Sequence, residues 1–266
     1  MSRIGECFEL LGKRNRAAFI PYVTCGDPHL EATGEVIRVL ADNGADIIEL
    51  GVPFSDPIAD GPVIQRASAR ALAAGTSLSR IIDMVADLRG KGVKSGFVLF
   101  GYFNPVLRFG PERLAHEAAA AGVDGMLIAD LLPEEAGDID AACAESGIDR
   151  VCLVAPTTPD ERIRMVSEKS SGFVYAVSLT GVTGAREELP PGLGDFLSRV
   201  KANCDKPVAV GFGISTPEMV SVAAKQADAV VVGSAIVRLM EENAGTPDMM
   251  RRLGSFVREL ADATRR

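Results

Sequence analysis

Glu49 and Asp60 bracket the stretch Glu49-Leu-Gly-Val-Pro-Phe-Ser-Asp-Pro-Ile-Ala-Asp60-Gly-Pro-Val-Ile-Gln65, which leaves an apolar strand through one carboxylate and enters a helix past the other. Two acids at the rim of a core can divide acid–base work, the buried one holding a proton near neutral pH while the more polar one stays charged. In Ile47-Ile48-Glu49-Leu50, strand parity sets Glu49 on the face of Ile47 and opposite Ile48 and Leu50. A carboxyl group on that face meets an apolar interior and should act as a general acid. Prolines 53, 57 and 62 stiffen the loop that brings Asp60 back to the same end of the sheet. The plainer reading makes Glu49 a solvated strand end and Asp60 the cap of the helix begun by Gly61-Pro62.

A second chemistry is written into the glycines. Gly211-Phe-Gly-Ile-Ser215 and Gly233-Ser234 each follow a strand, and the helical run Ala235-Ile-Val-Arg-Leu-Met comes next. Exposed amide N–H groups and a helix N-terminus can converge there on a phosphate. Gly181-Val-Thr-Gly184 offers further donors, and the long loop Leu179–Gly194 is either a lid or an ordinary surface loop. Other chemistries lack their residues. Lysines 91, 94, 169, 201, 206 and 225 fall on helices or on loops leading into strands, which disfavours a lysine imine. His29 and His116 have no partner at metal-ligand spacing, so neither a metal nor any other cofactor is implied. Cys25 and His29 lack an orienting third residue for thiol catalysis.

The elements that must position these residues alternate between strand-like and helical runs, the pattern of parallel βα units. Eight strands are predicted at Ala18–Thr24, Asp46–Leu50, Gly96–Gly101, Gly125–Ala129, Arg150–Val154, Gly172–Val177, Pro207–Val210 and Ala229–Val232. Most are continuous apolar runs, as expected of strands covered on both faces. The helices include Leu30–Asn43, Pro62–Ala74, Ser79–Arg89, Pro111–Ala121, Pro133–Ser146, Pro159–Lys169, Gly194–Lys201, Pro217–Ala224 and Asp248–Thr264. Eight such units predict one α/β domain over residues 1–266, a (β/α)8 TIM barrel. Ile4, Phe8 and Leu11 would form an N-terminal helix capping its bottom. An open doubly wound sheet shares the alternation, but no Gly-x-Gly-x-x-Gly follows the first strand. In a barrel the functional rim collects Thr24, Glu49, Tyr102, Asp130, Tyr175, Gly211 and Gly233.

Composition narrows the partners. A net charge of −8 and a pI near 5.0 argue against a nucleic-acid surface. No apolar run reaches the roughly 20 residues that cross a membrane, and no secretory segment opens the chain, so a cytoplasmic location is expected. The five cysteines include no Cys-x-x-Cys pair and read as reduced, small hydrophobes.

The Glu49–Gln65 stretch resembles the signature of the tryptophan synthase alpha chain family. Further matches are Pro21-Tyr-Val-Thr-Cys-Gly-Asp-Pro28, Tyr102-Phe-Asn-Pro105, Gly122-Val-Asp-Gly125, Gly181-Val-Thr-Gly184, Gly211-Phe-Gly-Ile-Ser215 and Gly233-Ser-Ala-Ile-Val237, in order along nearly the whole chain. The resemblance implies cleavage of indole-3-glycerol phosphate to indole and glyceraldehyde 3-phosphate, with indole passed to a beta chain in an alpha2beta2 assembly. It implies proton transfer by Glu49, stabilisation of the indole cation by Asp60 and orientation by Tyr175. Phosphate would be held by Gly184, Gly213, Gly233 and Ser234, and the indole slot would be lined by Tyr22, Phe100, Leu127 and Phe212. Leu132 stands where the family usually has proline, and Leu179 where some relatives carry arginine. The alternatives are a non-catalytic barrel that binds a phosphorylated ligand and an isomerase or synthase barrel of the same pathway; the intact carboxylate pair and the Glu49–Gln65 match disfavour them. Pro53, Phe54, Pro57 and the segment Tyr102–Leu107 are expected to form an apolar docking rim.

Overall fold

The computed structural model describes residues 2–177, 191–211 and 213–266. Eight parallel strands close on themselves in chain order: β1 (Ala18–Thr24), β2 (Ile47–Gly51), β3 (Gly96–Gly101), β4 (Gly125–Ile128), β5 (Asp149–Val154), β6 (Val174–Val177), β7 (Val208–Gly211) and β8 (Ala229–Val232). β8 pairs back onto β1, from Ala18 opposite Ala229 to Pro21 opposite Val232, and that closure rules out the open sheet. The fold is the expected (β/α)8 barrel.

Strand parity sorts the apolar residues into two layers. Ile20, Ile47, Val98, Leu127, Val151, Tyr175, Ala209 and Val231 pack together inside the barrel. Their neighbours Phe19, Ile48, Leu50, Phe97, Leu99, Val174, Val210 and Val230 point outward into the layer covered by helices. The bottom is plugged by α1 (Arg3–Lys13), whose Ile4 and Leu11 join the inner cluster while Phe8 meets Phe173 at 5.8 Å between ring centres. Gly125 makes room for it, since a Cβ there would lie 2.9 Å from the end of Ile4. Ser2 caps α1 by accepting the Gly5 amide.

The outer layer comprises α2 (Leu30–Asp42), α3 (Pro62–Ala73), α4 (Leu78–Gly90), α5 (Phe103–Phe109), α6 (Pro111–Ala121), α7 (Gly137–Ser146), α8 (Asp160–Lys169), α9 (Leu193–Ala202), α10 (Pro217–Ala224), α11 (Ser234–Glu242) and α12 (Met249–Asp262). Two of these depart from the sequence expectation. The helix expected over residues 133–146 is a 3-10 turn, Pro133–Glu135, followed by α7. α5 is not among the helices expected from the sequence, where Tyr102–Leu107 enters only as a motif and an apolar rim segment. Its Pro105 lies in the first turn, where the missing N–H has no helical partner to lose. No described helix is long and apolar enough to cross a membrane.

A short repeat fastens the bottom of the barrel. Asp46, Asp124 and Asp228 each stand immediately before or one residue ahead of an even-numbered strand. Each accepts the amide of a residue on the preceding odd-numbered strand or on β1: Phe19 at 2.8 Å, Phe97 at 2.8 Å and Val208 at 3.0 Å. Each also holds an arginine, Arg16 at 2.7 Å, Arg89 at 2.7 Å and Arg266 at 3.5 Å. The trace in the chain is Gly-Ala-Asp46, Gly-Val-Asp124 and Gln-Ala-Asp228. Asp124 is nearly fully buried and also bonds Arg3 at 2.7 Å. Asp124→Ala therefore removes the carboxylate shared by Arg3, Arg89 and the Phe97 amide, while Arg89 keeps the carbonyls of Gly122, Val93 and Ser95. It should lower the unfolding free energy by roughly 3 kcal/mol, the lower end for a broken buried pair. Urea denaturation measures this. Turnover per folded molecule should hold, because Asp124 lies at the end of the barrel away from Glu49 and Asp60.

Candidate active site

Glu49 and Tyr22 are register partners near the C-terminal ends of β2 and β1. Glu49 is 1% exposed, and among the described residues neither of its carboxyl oxygens has a hydrogen-bond partner. Burial without compensation penalises the charged form and pushes its pKa up to about 8. The side chain opens onto a cavity lined by Tyr22, Asp60, Ile64, Phe100, Tyr175, Gly213, Val231, Gly233 and Ser234.

Asp60 reaches this cavity from the β2–α3 loop. Its amide donates to the Pro57 carbonyl at 3.0 Å, and its own carbonyl accepts from the Gln65 side chain at 2.9 Å, so a tight turn feeds directly into α3. Its carboxylate accepts the Tyr102 hydroxyl at 2.9 Å. Burial raises the Asp60 pKa to about 6, and the Tyr102 bond opposes that rise. The loop is thus less polar around Asp60 than its composition suggests. Asp60 is still mostly ionised at pH 7, a full unit above that value.

The chain has only three tyrosines, and all three surround the two acids: Tyr22 and Tyr175 line the cavity, and Tyr102 holds Asp60. Two of them explain nearby glycines. A Cβ at Gly51 would lie 2.1 Å from the Tyr22 hydroxyl, and one at Gly211 would lie 2.1 Å from the Tyr175 hydroxyl, so each ring needs a glycine on the next strand. Burial, and after it the nearby carboxylates, raises both phenol pKa values, keeping the hydroxyls protonated.

The opposite side of the cavity is backbone. Gly213 adopts φ +86°, a conformation that glycine takes without strain. Gly233 is the N-cap of α11, and Ser234 is its first residue. The first amides of a helix have no internal acceptor and face outward. Phe100 packs edge-on against Tyr22, with ring centres 5.6 Å apart. Leu127 is brought beside Phe100 in strand register, yet it is wholly buried in the barrel interior and does not line the cavity. Gly184, Phe212, the Gly181–Gly184 motif and most of the Leu179–Gly194 loop lie outside the described residues.

Ile64 and Val231 belong to the cavity wall and were not anticipated. Val231 had a signal, since it shares inward parity with Ala229 two residues before Gly233. Ile64 had none, because its approach depends on how α3 leaves the loop. The expected docking rim needs correction. Pro53 and Tyr102 are buried, the latter 3% exposed with its ring 5.2 Å from Phe54. The apolar residues that do face outward are Ile58 (77% exposed), Leu107 (55%) and Leu132 (51%). A surface groove of about 600 Å³, lined partly by Pro53, Phe54, Asn104, Pro105 and Phe109, lies nearby but contains neither acid.

A protonated acid, an ionised acid, an apolar slot and a run of amides meet in one cavity. Such a set can protonate an electron-rich ring, stabilise the cation formed and hold a phosphate at the other end. The family model described as tryptophan synthase alpha chain matches residues 8–265. The chain belongs to the tryptophan synthase alpha chain family. It is 50% identical over 260 residues to the tryptophan synthase alpha chain of Solibacter usitatus, covering 98% of this chain and 97% of that one. The corresponding chain of Geobacter sulfurreducens is 48% identical, with 99% of each covered. Among solved structures, subunit alpha from Legionella pneumophila superposes with a TM-score of 0.92 at 35% identity, covering 99% of this chain and 98% of that one. A Mycobacterium tuberculosis tryptophan synthase chain gives 0.91 at 40% identity, covering 100% and 99%. The reaction is therefore the family's carbon–carbon lyase step, cleavage of indole-3-glycerol phosphate to indole and glyceraldehyde 3-phosphate, with a beta chain as partner.

The raised Glu49 pKa has a consequence for stability. Between its usual value of 4.5 and about 8, the folded chain binds a proton that the unfolded chain has released, so stability falls as pH rises across that window. By pH 7 the loss is on the order of 3 kcal/mol, at 1.36 kcal/mol per unit. Glu49→Gln removes the titration. The variant should be more stable than wild type at pH 7–8 and should show a flatter dependence between pH 5 and 8 in chemical denaturation.

Proposed function

We propose that Glu49 carries both proton transfers of the cleavage. Its carboxyl proton goes to C3 of the indole ring, leaving a cationic ring and a carboxylate. That carboxylate then takes the proton of the glycerol hydroxyl next to the ring. The carbon–carbon electron pair returns to the ring, indole and the aldehyde are released, and Glu49 is again protonated. Asp60 accepts the indole N–H and offsets the ring's positive charge, and Tyr175 orients the acid. Tyr22, Phe100 and Phe212 enclose the ring, with Leu127 supporting Phe100 from within the barrel. Amides at Gly184, Gly213 and Gly233, with Ser234, hold the phosphate.

The observation that carries this reading is a raised pair whose values straddle neutrality: Glu49, without a hydrogen-bond partner among the described residues and with a pKa of about 8, shares a cavity with Asp60 at about 6. Reaction then needs Glu49 protonated and Asp60 ionised, giving a bell-shaped kcat/KM with limbs near pH 6 and 8. Glu49→Gln keeps the shape and cannot exchange a proton, so indole release should fall by roughly 10⁴-fold, the upper end of general acid–base effects. Asp60→Asn should lower kcat strongly while glycerol phosphate affinity changes little. An indole-release assay with and without beta chain decides both; near-wild-type turnover of Glu49→Gln would remove its role.

We further propose that the chain acts as one barrel domain in the cytoplasm and assembles two-plus-two with the beta chain. Ile58 on the Asp60 loop and Leu107 on α5, with Leu132 after β4, give the rim an apolar surface that an isolated barrel does not need. Docking there would favour the reactive arrangement of the Asp60 loop and raise turnover. Leu107→Asp should weaken beta-chain binding by roughly tenfold or more, as expected for an apolar anchor. The rate of the chain alone should not change. Sedimentation and titrated lyase rates measure the two effects.

A further inference from the structure

We propose that Tyr102 is a positioning residue for this reaction, its phenol clamping the Asp60 loop by accepting one hydrogen bond and donating another. The proposal rests on the reading that Asp60 works as a carboxylate. The geometry assigns the direction of both bonds. The Ala59 amide donates to the Tyr102 oxygen at 3.1 Å, and the Asp60 carboxylate lies 2.9 Å from that oxygen. An amide can only donate, and a phenol has a single proton. With its oxygen engaged by Ala59, Tyr102 directs that proton at Asp60.

Three further features hold the phenol in place. Tyr102 is the N-cap of α5 and is buried. The next amide, that of Phe103, donates to Asp130 at 2.7 Å and pins the start of the helix to the loop after β4. The ring lies against Phe54 of the Asp60 loop at 5.2 Å with an interplanar angle of 32°. Tyr102 thus meets the loop at Phe54, Ala59 and Asp60 and fixes one carboxylate oxygen, Oδ2. That sets where the other oxygen points.

The clamp also bears on charge. Among the described residues, the titratable groups around Asp60 are Tyr22 from β1, Glu49 from β2, Tyr102 before α5 and Tyr175 from β6, with Asp130 beyond Tyr102. Arginines 66 and 70 on neighbouring α3 are engaged by Glu241 and Asp27 at 2.6–2.9 Å. Tyr102 is thus the donor that opposes the effect of burial on Asp60. Its own phenol is pushed well above the usual range by burial first and by Asp60 next, so it remains a donor throughout the working pH range.

Tyr102→Phe removes the hydroxyl and keeps the ring. The test is kcat/KM for indole-3-glycerol phosphate from pH 5 to 9, using the full chain saturated with beta chain. Losing the donor should move the acidic limb up by about one unit, a loss of roughly tenfold near pH 5 and about fivefold near pH 6 that closes toward pH 8. The loss should fall in kcat, with KM changed by less than about twofold. An unshifted limb, or a uniform loss at every pH, would overturn the proposal. A second measurement needs no turnover: the carbon-13 carboxyl shift of Asp60, assigned with Asp60→Asn, titrated in wild type and Tyr102→Phe. A midpoint that rises in the variant supports the clamp, and an unchanged midpoint refutes it. Failure of the wild-type complex to cleave the substrate would instead sink the functional reading, leaving the titration to decide the role of Tyr102.

Discussion

A carboxyl group buried inside an apolar barrel, with no hydrogen-bond partner among the described residues, is the constraint on which the rest of the structure turns. Water would lower the pKa of Glu49 toward its ordinary value and remove the protonated carboxyl that its proposed role as an acid requires. Keeping water away requires a closed sheet, since an open one would expose an edge and one end of the inner face. It also requires a plug, which α1 supplies through Ile4, Phe8 and Leu11. The free energy lost by burying Glu49 is offset by the two apolar layers that the same closure creates.

Acidic residues at the two ends of the barrel show how partners decide what a carboxylate does. At the bottom, Asp46, Asp124 and Asp228 are surrounded by strand amides and arginines and act as fasteners. At the top, among the described residues, Glu49 has no partner and Asp60 has one side-chain donor, so burial governs both. Chemistry and stability are thereby separated along one axis, with strand ends that react at the top and strand starts that hold at the bottom.

Glycine placement links the layers. Gly51 and Gly211 are empty of side chain because tyrosines from adjacent strands occupy that space, while Gly125 yields to the plug below. The loop bearing Asp60 is tied to α5 through Phe54 and Tyr102, and the exposed Leu107 sits on that same helix. A contact made at the rim is therefore only a few residues from the partners of the Asp60 carboxylate.

Much of this was legible in the chain because it depends on local periodicity. Two-residue alternation set Glu49 inward, apolar runs separated by helical ones implied eight βα units, and the glycine motifs after the last two strands marked Gly213 and Gly233, which line the cavity. Other features arise only when distant segments meet. Tyr102 bonds a residue 42 positions away, and Leu127 falls behind Phe100 rather than on the cavity wall. Burial of Pro53 and exposure of Ile58 depend on how one loop lies across the rim, which its prolines stiffen without orienting. The residue types and strand parity determined which groups could react. The tertiary structure decided their pKa values and partners, because desolvation and hydrogen bonding belong to the surroundings of a group and not to its place in the chain.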